Sequence, residues 1–114
     1  MTTAKFRRYG NAFEVTVTGH AGFADDGEDI VCASCSILTY TLLQSLLEME
    51  AEGALTSYHE GFDDGTENAV DGKFRVTGEA AAYAADKLDT VLGVISAGFA
   101  LLQEEYPDCV QLDY

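Results

Sequence analysis

At 114 residues the chain has room for one domain with a real core and too little for two independent ones. Hydrophobic residues make up 47% and charged residues 23%, a balance that excludes an intrinsically disordered chain. Twenty acidic residues against six basic ones leave a net charge of -14, which disfavours nucleic acid, whose phosphates need cationic neutralisation, and points either to a basic protein or peptide as partner or simply to solubility or a salty interior.

We therefore expect a single domain over 1–114. The longest apolar patch, 80–102, is interrupted by Asp86, Lys87 and Asp89, so we expect no membrane span and a soluble protein. Three cysteines, an odd number, follow a polar start (MTTAKFRRYG), which points to a reducing cytoplasm rather than a secreted disulfide framework.

Residues 3–9 and 12–18 alternate as strands, with Phe13, Val15 and Val17 on one face, and Gly10-Asn11 suits the tight turn between them. Lys5 and Arg7 share one face of the first strand and Phe6 and Arg8 the other, a mixture that predicts an edge strand. Residues 19–31, with three glycines and four acids, predict a surface loop. From about Cys32 the period turns helical: Leu38, Leu42 and Leu46, flanked by Leu43 and Leu47, predict a buried stripe to about Glu52, with Gly53 as the cap.

LTSYHE predicts a third strand, GFDDGTENAVDG an acidic loop, and KFRVT a fourth strand with Phe74 and Val76 inward. Thr77 or Gly78 is expected to open a second long helix to about Tyr106, with Leu88, Leu92, Ile95, Phe99 and Leu102 on one face and Pro107 beyond its end. Gly93, Ala97 and Ala100 leave gaps on that helix, assigned to packing within one subunit. Val110 and Leu112 alternate in a last strand. The order β-β-α-β-β-α-β predicts an α+β fold, a largely antiparallel sheet packed on two long helices.

Chemistry concentrates in Gly19–Ser36. A reactive cysteine acts as a thiolate and needs a local cause for that form. If Cys32 stands in the first turn of a helix, its free N–H groups and macrodipole supply one cause and could also hold an oxyanion. His20, at the other end of the loop, supplies a second as general base. Asp29 either orients the imidazole or caps the helix, the cap being preferred. The plain alternative is a buried, inert Cys32 and an ordinary polar His20. Against it stands the clustering of His, Gly and acids immediately before a helix.

Cys32-Ala-Ser-Cys35 is also a C-x-x-C, so a thiol redox protein ranks second; the βαβ entry and a nearby proline are lacking. A zinc site built from Cys32, Cys35, His20 and either His59 or Cys109 lacks diagnostic spacing, and the loop acids miss the calcium-loop pattern, so no metal or cofactor is expected. A third class is a non-catalytic acidic module that binds a basic protein.

Gly19-His20-Ala21, a Gly-containing loop, Asp29-Ile30-Val31-Cys32-Ala33 and Ser36 together resemble the bacterial ribosomal-processing cysteine protease family, Prp. The resemblance implies a cytoplasmic cysteine endopeptidase with a Cys-His dyad, which removes the N-terminal extension of a large-subunit ribosomal protein. It implies Cys32 as nucleophile, His20 as base, and Asp29 and Ser36 as supporting residues. It also implies a homodimer and a substrate loop, here carrying Gly22, Asp25, Asp26, Gly27 and Glu28. Cys35 stands where the family more usually has an apolar residue, which raises a Cys32–Cys35 disulfide as an oxidative off-switch.

Overall fold

The computed structural model describes residues 1–19, 26–63 and 73–114. The alternating N-terminal segments form an antiparallel hairpin, β1 (Thr2–Tyr9) and β2 (Ala12–Thr18), in register from Thr3 opposite Thr18 to Tyr9 opposite Ala12. Gly10 makes the turn at φ 64°, a left-handed conformation that costs glycine little. The helix α1 (Asp26–Ala51) follows, then the antiparallel pair β3 (Leu55–Asp63) and β4 (Lys73–Ala80), the helix α2 (Ala85–Glu105) and β5 (Val110–Asp113). One sheet results, in the order β3-β4-β2-β1-β5, antiparallel except where β5 runs parallel to β1. The α+β class and the element order are those predicted from the patterning.

Period-two alternation gives the sheet one apolar face. Ala4, Phe6, Phe13, Val15, Phe74, Val76 and Val110 are buried under the helices, beside Leu42, Leu46 and Met49 of α1 and Leu88, Leu92, Ile95 and Phe99 of α2. Each fully buried large side chain contributes roughly 1.5–3 kcal/mol, so this layer contact holds the fold. The two helices run antiparallel: an ion pair joins Glu52, after the end of α1, to Lys87 near the start of α2, and Leu38 packs where Gly98 leaves room. A Cβ on Gly98 would come within 2.6 Å of the Leu38 side chain, so the glycine sets this close approach.

The C-terminus of α1 closes as a Schellman motif. The N–H of Gly53 (φ 80°) bonds the Glu50 carbonyl at 3.0 Å, and the N–H of Ala54 bonds that of Met49 at 2.8 Å. Ser34, Thr39, Thr41 and Ser45 return their hydroxyls to carbonyls one turn back, so the many hydroxyls of this helix are satisfied locally.

Five expectations are corrected. α1 begins at Asp26, not near Cys32, because acids in a first turn favour the positive helix end; the predicted loop therefore loses 26–31, and its residues 20–25 lie outside the described residues. Thr77 and Gly78 belong to β4, where Gly78 lies under Phe13; a Cβ there would stand 2.9 Å from that ring and 2.6 Å from the Ser57 carbonyl. β1 is interior rather than an edge, since β5 pairs along it and its cations Lys5 and Arg7 point to solvent from the helix-free face. Ala97 and Ala100 are exposed and a Cβ on Gly93 would meet nothing, so these small residues do not serve packing within the subunit. Finally, Ile30–Ala51 is long and apolar enough to cross a membrane, although here it is the helix whose Val31, Leu42, Leu46 and Met49 pack on the sheet.

The acidic loop predicted at 61–72 is strand as far as Asp63, and residues 64–72 lie outside the described residues.

Candidate active site

One end of the sheet brings the end of β2 near the first half of α1. Thr3, Thr18, Lys73 and Asp63 form one row across β1, β2, β4 and β3, while the Thr2 N–H bonds the Cys109 carbonyl at 2.8 Å. Gly19 ends this row at φ 90°, so close to the chain start that a Cβ on it would lie 2.1 Å from the Met1 carbonyl oxygen. Only a glycine fits there, and it is the residue immediately before His20.

α1 passes over the same end. Cys35, on its sheet-facing stripe, is buried and lies within hydrogen-bond reach of the Thr2 hydroxyl. Burial pushes the Cys35 thiol up to about 11, with the neighbouring Cys32 and Cys109 adding to the rise and Thr2 opposing it. Cys32, one turn earlier, is half-buried on the flank of the helix. Thus the strand that delivers His20 and the helix that carries Cys32 meet the same edge of the sheet. The ends of β3 and β4 at Asp63 and Lys73 lie at this end too.

Other predicted site residues fall as follows. His20, Gly22 and Asp25 lie outside the described residues. Asp26, Gly27, Glu28 and Asp29 form the first turn of α1, and Ser36 is exposed on the same helix. Asp29 is thus inside the helix rather than its cap. Cys32 is in the second turn, where its N–H is committed to an intrahelical bond, so the expectation of free first-turn N–H groups at the cysteine is withdrawn. Thr2 was not anticipated as a partner of Cys35, though the inward alternation Thr2-Ala4-Phe6 carries that signal.

Within the C-x-x-C, Cys35 is the buried member, and burial holds its thiol protonated at neutral pH. All three cysteines are free thiols. Of the two fourth ligands considered for a zinc site, His59 is exposed on the helix-free face, away from Cys35, which is buried between sheet and helices. Among the described residues no group of three or more His, Cys, Asp or Glu is arranged to hold a metal ion.

Comparison with known proteins agrees with this geometry. The family model described as cysteine protease Prp matches residues 1–111. Among solved structures, SMU.848 from Streptococcus mutans superposes with a TM-score of 0.70 at 22% identity, over 99% of this chain and 96% of that one. The essential ribosomal processing protease Prp from S. aureus, in complex with a covalently linked product peptide, gives 0.65 at 20% identity over 100% and 99%. The same protease with a substrate peptide gives 0.66 at 20% identity, again over 100% and 99%. No curated protein sequence matches the chain.

Proposed function

Because the chain belongs to the cysteine protease Prp family, we propose that it is an endopeptidase in which Cys32 is the nucleophile and His20 its base, and that it removes the basic N-terminal extension of a large-subunit ribosomal protein. The observation that carries this reading is the meeting, at one end of the sheet, of the strand leading through Gly19 to His20 and the helix bearing Cys32. In the proposed reaction His20 takes the thiol proton, and the Cys32 sulfur bonds to the scissile carbonyl carbon. The C–N bond then breaks as His20 returns the proton to the leaving amine, and water hydrolyses the thioester.

The choice of substrate has two supports. Solved relatives of the same fold are ribosomal processing proteases, one of them holding a substrate peptide. The acids at 25–29 and 60–71 of the sequence favour a cationic peptide. Asp29 and Ser36 are proposed as supporting residues, and Gly22, Asp25, Asp26, Gly27 and Glu28 as the substrate-facing stretch. A cytoplasmic setting suits the three free thiols, and a homodimer is the proposed assembly.

Incubating the chain with the extended ribosomal protein of its own organism and weighing the products tests this reading. Loss of the N-terminal extension at one bond is expected. An unchanged substrate mass beside a well-folded enzyme would overturn the assignment of substrate.

A further inference from the structure

We propose that the notch at the outer edge of the sheet, where β5 stops and β1 runs on, binds a small apolar acid: a flat ring on a short arm that ends in one carboxylate. The proposal is separate from the protease chemistry, because Arg8 in the notch lies about 16 Å along β1 from Thr3, which is in the row that leads to Gly19.

β5 pairs with β1 only from Thr2 to Lys5, so among the described residues no strand covers the outer edge of β1 from Phe6 to Tyr9. A cavity of about 370 Å³ opens there, lined by Phe6, Arg7, Arg8, Leu92, Asp113 and Tyr114. That volume is within the roughly 300–1,000 Å³ of small-molecule sites. Phe6 and Leu92 are core residues and supply apolar walls. Tyr114, 72% exposed, tilts against Phe6 with the ring centroids 5.8 Å apart and adds an aromatic one.

Two guanidiniums line the cavity, and they are not equally engaged. Arg7 donates from Nη2 to the Asp113 carboxylate at 2.8 Å and from Nη1 to the carbonyls of Phe6 and Asp113 at 3.0 and 3.5 Å. Arg8 meets Asp89 at 3.0 Å through Nη2, whereas its Nη1 is buried without a partner, the one such side-chain nitrogen or oxygen among the described residues. A buried donor left unmet costs more than an ordinary hydrogen bond returns, and a charged one costs most. The inward alternation of β1 through Ala4 and Phe6 arrives next at Arg8, where an aliphatic side chain would close the gap without that cost. A small turn of the guanidinium about the Asp89 contact presents Nη1 to an acceptor in the cavity.

The unmet donor and the walls together select the ligand. A carboxylate accepts from a guanidinium more strongly than a neutral carbonyl does, and the rings and Leu92 call for an apolar body beside it. A single negative charge suits the site, since Asp113 and Asp89 already pair with the two arginines and a net charge of -14 repels polyanions. This chemistry is shared by a free aryl-alkyl acid and by the last residue of a peptide that ends in phenylalanine.

Amide NMR titration of the full chain with phenylpropionate, phenylpropionamide and N-acetylphenylalanine, at constant ionic strength, tests the proposal. Phenylpropionate should bind with a Kd on the order of 1 mM, in keeping with its few heavy atoms. It should move the signals of Phe6, Arg8, Leu92 and Tyr114 and leave those of Cys32 and Cys35 in place. Phenylpropionamide should bind about 10-fold more weakly, and so should phenylpropionate to Arg8→Gln and to Tyr114→Ala; Tyr114→Phe should match the wild type. N-acetylphenylalanine separates the sources: tighter binding than phenylpropionate assigns the site to a peptide C-terminus, and weaker binding to a free acid. No shifts at about 20 mM phenylpropionate, equal binding of acid and amide, or unchanged affinity in Arg8→Gln and Tyr114→Ala would overturn the proposal.

Discussion

Replacing Gly19 by alanine probes the junction on which the proposed dyad depends. At φ 90° a side chain is strained whatever the space around it, and here the added methyl would also sit 2.1 Å from the Met1 carbonyl oxygen. Backbone strain of this kind costs roughly 1–2 kcal/mol, and forcing atoms into an occupied site adds roughly 1–3 kcal/mol. Gly53 supplies the matched control, because it has φ 80° with nothing within 4 Å and lies beyond the far end of α1. Gly53→Ala should therefore lose only the strain, and Gly19→Ala about twice as much or more, read as midpoint shifts in urea denaturation. Cleavage should separate the two further: a displacement of about 1 Å at a catalytic group can cost 100-fold, so kcat/KM should collapse in Gly19→Ala and hold in Gly53→Ala. Equal stability losses in the two variants, or full activity in Gly19→Ala, would refute the reasoning.

Two further outcomes follow from the titrating groups. With the Cys35 thiol pushed up to about 11, about one molecule in 10³ carries its thiolate at pH 8, so iodoacetamide mass mapping of the native chain should find Cys35 unmodified while Cys32 is labelled. Equal labelling of both would put Cys35 outside the core. The Arg7 guanidinium, 2.8 Å from Asp113, holds that carboxyl below its ordinary value. A depressed folded-state pKa stabilises above the unfolded value and fades as pH falls through the folded one. Asp113→Asn should thus lower the thermal midpoint slightly at pH 7 and leave no difference in strong acid, where the wild-type carboxyl is also neutral.

The sequence was most legible where one face of an element meets the core. Phe13 and Val15, Phe74 and Val76, and Leu88, Leu92, Ile95 and Phe99 were all placed inward by period alone and are buried. Boundaries were harder where composition serves two purposes. The acids at 26–29 were read as a loop but suit the positive end of α1, and that shift of helix start moved Cys32 from the first turn to the second. Gly78 was read as a helix opening, whereas it is a strand position that must stay bare under Phe13. On α1 both sides are apolar, so leucine spacing alone could not separate the sheet-facing Leu42 and Leu46 from the exposed Leu47 and Ile37. That β1 is interior depends on a parallel pairing with β5, more than a hundred residues later in the chain, which no local pattern encodes.

The central claim is that Cys32 and His20 act as one unit. Measuring kcat/KM for cleavage of the extended ribosomal protein by Cys32→Ala, His20→Ala and the double variant tests it most directly, because members of a catalytic unit are strongly non-additive. The account predicts that each single change removes almost all activity and that the double variant is scarcely worse. Substantial cleavage by Cys32→Ala, or independent and multiplying losses from the two changes, would contradict it.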